Sequence, residues 1–509
     1  MTARGVWSVD PRTGERREEV AAEATAQDVD AAVRAAHAAR GSLADRAVRA
    51  AFLRTAAASL AGAEASLVEA ADAETALGRI RLTGELARTC HQLRAFADLV
   101  DEGSFLDVII DRPDDTAVPP VPDLRRYRVP LGVVAVYAAS NFPFAFSVPG
   151  GDTASALAAG CPVVVKAHPD HPATSERVAA VLRGAAAAHG LPEGVIGLLH
   201  GFDAGVELVR HPLVAAAGFT GSVRGGRALF DAAAARPAPI PFHGELGSLN
   251  PVLVTRAAAG ERAEEIGAGL AASMTLGTGQ FCVKPGLVLV PDGASGDGLV
   301  AALAGQVSRA APGVMLDRRM SDAFVAGVAE RAALPGVGVP VPAEADAERR
   351  VSPGFLTVPA ARLTAAGPHD LLLEECFGPV TVVARYRGED EADAVLSRLP
   401  GNLTATVHLS AGEAAGEGAA ADVLARLTRI AGRVLVDGWP TGVAVALAQH
   451  HGGPYPASTS TSTSVGGTAL ERWTRPVAYQ TTPPALLPPE LRDGNPLGLP
   501  RRVDGRWER

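Results

Sequence analysis

The sequence predicts an α/β protein built from parallel sheets in two or three units, and three observations carry that prediction. Apolar runs of strand length, rich in β-branched residues, recur from Arg125 onward, and stretches with helical spacing lie between the first of them. Strands alternating with helices form parallel sheets whose faces the helices cover. Residues 20–103 contain no such runs and are dominated by Ala, Leu, Arg and Glu at helical spacing, good helix formers arranged as amphipathic surfaces. At 509 residues the chain is longer than one hydrophobic core can organise.

The helical region includes DVDAAVRAAHAAR and RAVRAAFLRTAAASLAGAEASLVEAADAE, with boundaries softened by the abundance of alanine. The first strand lies in RRYRVPLGVVAVYAAS. PVVVKA (162–167), AAAGFTG (215–221), NPVLV (250–254), GLVLV (286–290) and PVTVVARY (379–386) follow it. Residues 175–190, SERVAAVLRGAAAAHG, predict a helix capped by Thr174 or Ser175. The stretch PASTSTSTSVGG (456–467) is of low complexity and predicts an exposed loop. From Pro476 the chain is proline-rich, which predicts extended backbone along a surface or a neighbouring subunit. No internal repeat is visible.

A net charge of −9 argues against a nucleic-acid partner, which needs a basic face to neutralise phosphates. The N-terminal residues MTARGVWSVDPRTGERREE hold no apolar segment of a secretory signal. The most apolar stretch, Phe144 to Val165, is interrupted by Asp152 and by Gly and Pro, so no membrane span is expected. Cys90, Cys161, Cys282 and Cys376 lie far apart without a CxxC pair. That predicts neither a disulfide framework nor a metal site and fits a reducing cytoplasm. Cys90, Cys161 and Cys376 are read as structural.

Cys282 has a different setting. In MTLGTGQFCVKPG (Met274–Gly286) it follows turn-forming residues that leave little bulk around the sulfur, whereas a packing cysteine sits inside an apolar run. GFTGSVRGG (218–226) follows a strand and opens a helix, where turn and helix N–H groups make an anion site and glycines admit a phosphate. Its spacing is not that of a GxGxxG fingerprint, and such turns are common.

Six motifs occur in order: SNFPFAF (140–146), VVVKAHP (163–169), GFTGSVRGG, HGELGSLNP (243–251), GTGQFCVKPG (277–286) and EECFGPV (374–380). Together they resemble the aldehyde dehydrogenase superfamily across nearly the whole chain. KAHPDHPATSE, FHGELGSLNP, GTGQFCVKPG, HGGPYPAS and STSVG resemble the branch acting on α-ketoglutaric semialdehyde (2,5-dioxovalerate), whose members typically use NADP. The resemblance implies Cys282 as nucleophile, Asn141 as oxyanion donor and Glu245 as the base for hydrolysis. The chemistry calls for the same groups. A thiolate adding to an aldehyde creates a thiohemiacetal that can lose hydride, the oxyanion needs aimed donors, and the thioester needs a base beside a water. A partly desolvated Glu245 is expected to have a raised pKa.

For the cofactor, the resemblance implies that Lys166 binds the adenosine ribose and that Gly221, Ser222 and Gly225 lie at the pyrophosphate. Glu375 is implied at the nicotinamide ribose, with Phe377 beside the ring. NAD-preferring relatives often place a glutamate where this chain has Pro169. His168, Thr174 and Arg210, if its strand lies near, are therefore expected to meet a 2′-phosphate, predicting NADP over NAD. For the substrate, the helical segment ELARTCHQLRAFADL (85–99) resembles the one lining the tunnel mouth. Arg88 is expected to face a substrate carboxylate, with Phe142 as a further contact and Arg94 a salt-bridge partner. The expected units are a Rossmann-like cofactor domain (1–122 and 133–244), an α/β catalytic domain (245–445) and an oligomerisation element with C-terminal tail (123–132 and 446–509), in a homodimer or homotetramer. Competing readings are another aliphatic or aromatic aldehyde, an acylating enzyme releasing acyl-CoA, and a non-catalytic binding protein. The presence of Glu245 argues for hydrolysis, and the three retained catalytic residues argue against loss of activity.

Overall fold

Three sheets, a short N-terminal hairpin and a layer of helices organise residues 4–508, the part of the chain that the computed structural model describes. The first sheet is wholly parallel. Its spatial order is Ile196–Leu199, Val163–Lys166, Val133–Tyr137, Val214–Thr220 and Phe242–Glu245. Chain order therefore reverses at Val133–Tyr137, and such a reversal leaves a crevice at the carboxyl ends of the strands. Both faces are buried, and alternation decides which side chain goes where. Val134, Val136, Val163 and Val165 pack in one core with Phe52, Leu53, Leu86 and Leu93 from helices Arg46–Gly62 and Arg79–Glu102. Val133, Ala135, Tyr137 and Val164 pack on the other face with Val29 and Val33 from helix Ala26–Ala39.

The second sheet orders Gly338–Val341, Gly354–Pro359, Val380–Tyr386, Leu287–Pro291, Val252–Val254, Asn402–His408 and Ala431–Val436; only the edge strand Gly338–Val341 is antiparallel. The third sheet is small and mixed: Thr474–Gln480, Leu124–Pro130, Val108–Asp111, Arg501–Val503 and Arg506–Glu508. It draws in 108–111, which the sequence reading placed in the cofactor unit. Among the described residues no helix is long and apolar enough to cross a membrane.

Two sequence expectations change here. The segment 456–467 is not an exposed loop: Ala457, Ser458 and Thr463 to Gly466 are buried. Its hydroxyls serve as backbone partners, as where Thr459 Oγ1 donates to Phe242 O and accepts from Gly244 N. The helix expected from 175 begins earlier, at Pro172, with His171 at its cap. Proline suits a first turn because the N–H it lacks has no helical partner there.

Candidate active site

The cysteine loop is held from three sides. Gly277, Thr278 and Gly279 all take left-handed φ, +56°, +58° and +65°. A β-branched residue there is costly. Gly279 has room for no side chain, because a Cβ would collide with Gly378 of the ECFGP segment. Asn250 Nδ2 donates to the carbonyls of Cys282 (2.8 Å) and Lys284 (3.1 Å). Asn141 Nδ2 donates to Gln280 O at 3.0 Å, which brings the SNFPF segment against the same loop. That segment is fixed in turn by buried Glu85, which accepts from Phe144 N and Ala145 N at 2.8 and 2.9 Å. Among the described residues the Cys282 N–H has no protein acceptor.

Glu245 ends its strand beside this loop. His451 lies between it and the cysteine, with Nε2 3.7 Å from Cys282 Sγ and 3.0 Å from Glu245 Oε1. The Ser464 hydroxyl donates to Glu245 Oε2. Burial pushes Glu245 up, but His451, Ser464 and Arg472 outweigh it and leave the carboxyl below its ordinary value. The expected raised pKa is thus reversed, because the site supplies partners for the charged form. Burial and the carboxylates of Glu245 and Glu375 push the Cys282 thiol well above its ordinary value. Neither His451 nor Ser464 was singled out in the sequence. The signal lies in HGGPYPAS, which begins at His451, and in STSVG, which contains Ser464. Behind Glu245 lies a small polar cavity lined by His243, Ser458, Ser460, Ser462 and Ser464.

The approach to the cysteine is aromatic and cationic. Phe142 meets Phe281 edge-on at 5.2 Å and Phe146 at 5.4 Å. Arg81 lies 4.6 Å from the Phe281 centroid and donates to Asn141 O at 2.6 Å. Arg88 lies 5.8 Å from the Phe146 centroid and donates through Nε to Val443 O at 3.1 Å, while its Nη2 is buried without a hydrogen-bond partner. Arg94, expected in a salt bridge, is exposed and joins no ion pair among the described residues.

The expected cofactor residues divide. Lys166 ends its strand at the crevice, and burial lowers its pKa. Ser222 caps helix Val223–Ala234 by accepting from Gly225 N at 3.2 Å. The Gly221 N–H is spent on Glu245 O. The amides of Val223 and Arg224 therefore remain as the donors of the first turn. Gly226 has no room for a Cβ because Leu246 lies against it. Glu375 is pushed up to about 7 by burial, and its Oε2 lies against Gly247, where a Cβ would come within 2.6 Å. Phe377 is half-buried nearby in sequence. Thr174 does not face the crevice: its N–H and hydroxyl both go to buried Glu74, at 2.8 and 2.7 Å. Arg210 is exposed at the end of helix Phe202–Arg210, not on a strand. Burial, His171 and Lys166 hold His168 well below the ordinary imidazole pKa, so it meets an anion as a neutral hydrogen-bonding group. Arg319 lies near enough for its charge to act on both His168 and Asp170; the sequence reading did not include it.

These features fit a nicotinamide dinucleotide. Open amides at a helix start suit its phosphates, and a strand-end lysine at a topological reversal suits its ribose.

The family model described as the aldehyde dehydrogenase family matches residues 2–454. The chain is 47% identical over 470 residues to "Alpha-ketoglutaric semialdehyde dehydrogenase 2" of Azospirillum brasilense, covering 91% of this chain and 88% of that protein. It is 42% identical over 496 residues to "Alpha-ketoglutaric semialdehyde dehydrogenase" of Acinetobacter baylyi, covering 95% and 92%. In fold it resembles gamma-glutamyl-gamma-aminobutyraldehyde dehydrogenase from Burkholderia cenocepacia, with a TM-score of 0.80 at 23% identity over 94% of this chain and 93% of that one.

Proposed function

The chain belongs to the aldehyde dehydrogenase family, and on that premise we propose that it oxidises α-ketoglutaric semialdehyde to 2-oxoglutarate with NADP. The observation that carries this reading is the convergence of Cys282, Glu245 and His451 at the foot of an approach walled by Phe142, Phe146 and Phe281 and flanked by Arg81 and Arg88. The names of the two relatives support the substrate.

In this mechanism Cys282 Sγ adds to the aldehyde carbon. The oxygen gains a negative charge and takes hydrogen bonds from the Asn141 amide and the Cys282 N–H. Each such donor is worth about 3–4 kcal/mol in comparable sites. A bound nicotinamide would supply the acceptor for the hydride that the thiohemiacetal carbon loses. Glu245, kept ionised by its neighbours, takes a proton from the water that hydrolyses the thioester. Arg88 pairs the far carboxylate, which would otherwise be costly to bury.

Lys166, His168, Arg319 and the start of helix Val223–Ala234 hold the dinucleotide, with Arg319 the cation for a 2′-phosphate. Glu375 holds the nicotinamide ribose, with Phe377 beside it. The first sheet then belongs to the cofactor domain and the second to the catalytic domain. The edge strand Thr474–Gln480, paired on one side only, offers its free side to another subunit of a homo-oligomer.

Purified protein, α-ketoglutaric semialdehyde and either cofactor test the reading. The expected result is stoichiometric 2-oxoglutarate and reduced cofactor without coenzyme A, with kcat/KM higher for NADP than for NAD. A requirement for coenzyme A, or a clear preference for an uncharged aldehyde, would overturn it.

A further inference from the structure

The thiol of Cys282 poses a problem that the groups so far assigned do not solve. Attack needs the thiolate, yet burial and two facing carboxylates, Glu245 and Glu375, hold the proton on sulfur; Arg433 and Arg88 act the other way. Glu245 is a poor acceptor for that proton. The Ser464 hydroxyl and the Arg472 charge stabilise its charged form whether or not His451 carries a proton, which makes it a weak base towards a thiol whose affinity for its proton is raised.

His451 is the remaining group in reach. Its side chain is fully buried, and its Nε2 makes a hydrogen-bonded approach to Cys282 Sγ at 3.7 Å. The carboxylate oxygen Glu245 Oε1 is closer still to Nε2, at 3.0 Å. Nε2 is thus within reach of both the sulfur and the carboxylate, and Glu245 is placed to hold a charge that the imidazole gains. The backbone around the ring is clamped. The His451 N–H donates to Thr463 Oγ1 at 2.8 Å, and His451 O accepts from the Ser464 N–H at 2.9 Å. The Ser/Thr-rich segment therefore fixes the His451 backbone and, through the Ser464 hydroxyl, the carboxylate beside the ring. His451 in turn acts on His450, one residue earlier, helping burial to lower its pKa.

We infer that His451 is a further catalytic residue, the base that takes the Cys282 proton as the thiol attacks the aldehyde, with Glu245 stabilising the imidazolium that results. The Sγ–H bond breaks and an Nε2–H bond forms. The sulfur electron pair makes the C–S bond, and the carbonyl π pair moves onto oxygen. No electron is gained or lost overall in this step. Imidazole suits the task because it exchanges protons in the physiological range. A thiolate next to imidazolium is also far better stabilised than one facing two carboxylates alone. The division of labour is then clear: His451 serves acylation, and Glu245 serves hydrolysis.

The inference rests on Cys282 being the nucleophile, so the experiment separates the two. Iodoacetamide alkylation of the Cys282 peptide is followed by mass spectrometry from pH 6 to 10 in wild type, His451→Gln, His451→Phe and Glu245→Gln. Cofactor binding by fluorescence quenching checks that each variant is folded. Both His451 variants are expected to alkylate at least about tenfold more slowly near pH 7, with the deficit closing towards pH 10 as the thiol ionises unaided. Glu245→Gln is expected to alkylate faster than the His451 variants near pH 7. A wild-type profile in both His451 variants, or an equal deficit at every pH, overturns the inference, as does a low-pH loss confined to Glu245→Gln. If Cys282→Ala retains aldehyde oxidation, the nucleophile assignment itself fails, whatever His451 does.

Discussion

Replacing Arg88 by alanine tests the substrate assignment, because the structure separates what this side chain does for the protein from what it would do for a ligand. For the protein it donates one aligned bond, Nε to Val443 O at 3.1 Å, and covers the Phe146 ring. Losing these contacts burdens every substrate alike. For a ligand it offers Nη2, buried and unpartnered, and Nη1, whose contact with Gln92 is stretched to 3.5 Å. Hydrogen bonds to charged groups contribute about 1.5–3 kcal/mol each. One lost bond to a carboxylate therefore predicts a rise of about 10- to 150-fold in KM for α-ketoglutaric semialdehyde at about 1.4 kcal/mol per tenfold. Pentanal, of matching length but without the carboxylate, should change by no more than about threefold, the size of an ordinary packing loss. Arg88→Lys should recover part of the difference, since it keeps charge but loses the fork. Arg81→Ala is the contrast: its guanidinium supports Asn141 O, so both aldehydes should suffer together. Steady-state kinetics on the two aldehydes gives the answer. Equal losses on both in Arg88→Ala would refute the carboxylate contact and leave the arginine a structural group.

Four further outcomes are expected. Cys282→Ala should abolish oxidation with cofactor binding intact, while Glu245→Gln should release one burst of reduced cofactor and then stall; stopped-flow absorbance distinguishes them. Ser464→Ala removes a bond that holds the Glu245 carboxyl down. The acid limb of the kcat profile should move to higher pH, because a less stabilised carboxylate is lost sooner as pH falls. Arg319→Ala should lower kcat/KM for NADP by about tenfold and leave NAD unchanged, the loss of one charge-assisted phosphate contact. Glu74→Ala leaves the Ala173 N–H, the Thr174 N–H and the Thr174 hydroxyl without their buried acceptor, so denaturant unfolding should show a loss of about 3 kcal/mol or more.

Legibility in the sequence followed the range of the interactions. The strands were readable because a strand buried on both faces must be an apolar run, and 162–167 and 286–290 are such runs whatever packs on them. The motifs that the fold brings together were visible where the local backbone marks them: Cys282 behind Gly277 and Gly279, both at positive φ, and Asn141 inside SNFPF, whose amide reaches the same loop. Thr174 was misread because its partner, Glu74, lies a hundred residues earlier in the chain, and no local pattern separates a threonine facing a crevice from one satisfying a buried carboxylate. The serine- and threonine-rich segment failed for a deeper reason. Low complexity correlates with exposure because short polar side chains bury little apolar area. Here Ser458, Thr463 and Ser464 are buried as hydrogen-bond partners, the last two clamping the His451 backbone and reaching Glu245, and a buried polar segment is stable when such partners are met. A repeat of Ser and Thr cannot show this by its composition. It becomes legible only once the strand Phe242–Glu245 lies alongside, because the carboxylate at the end of that strand is what the segment is built to hold.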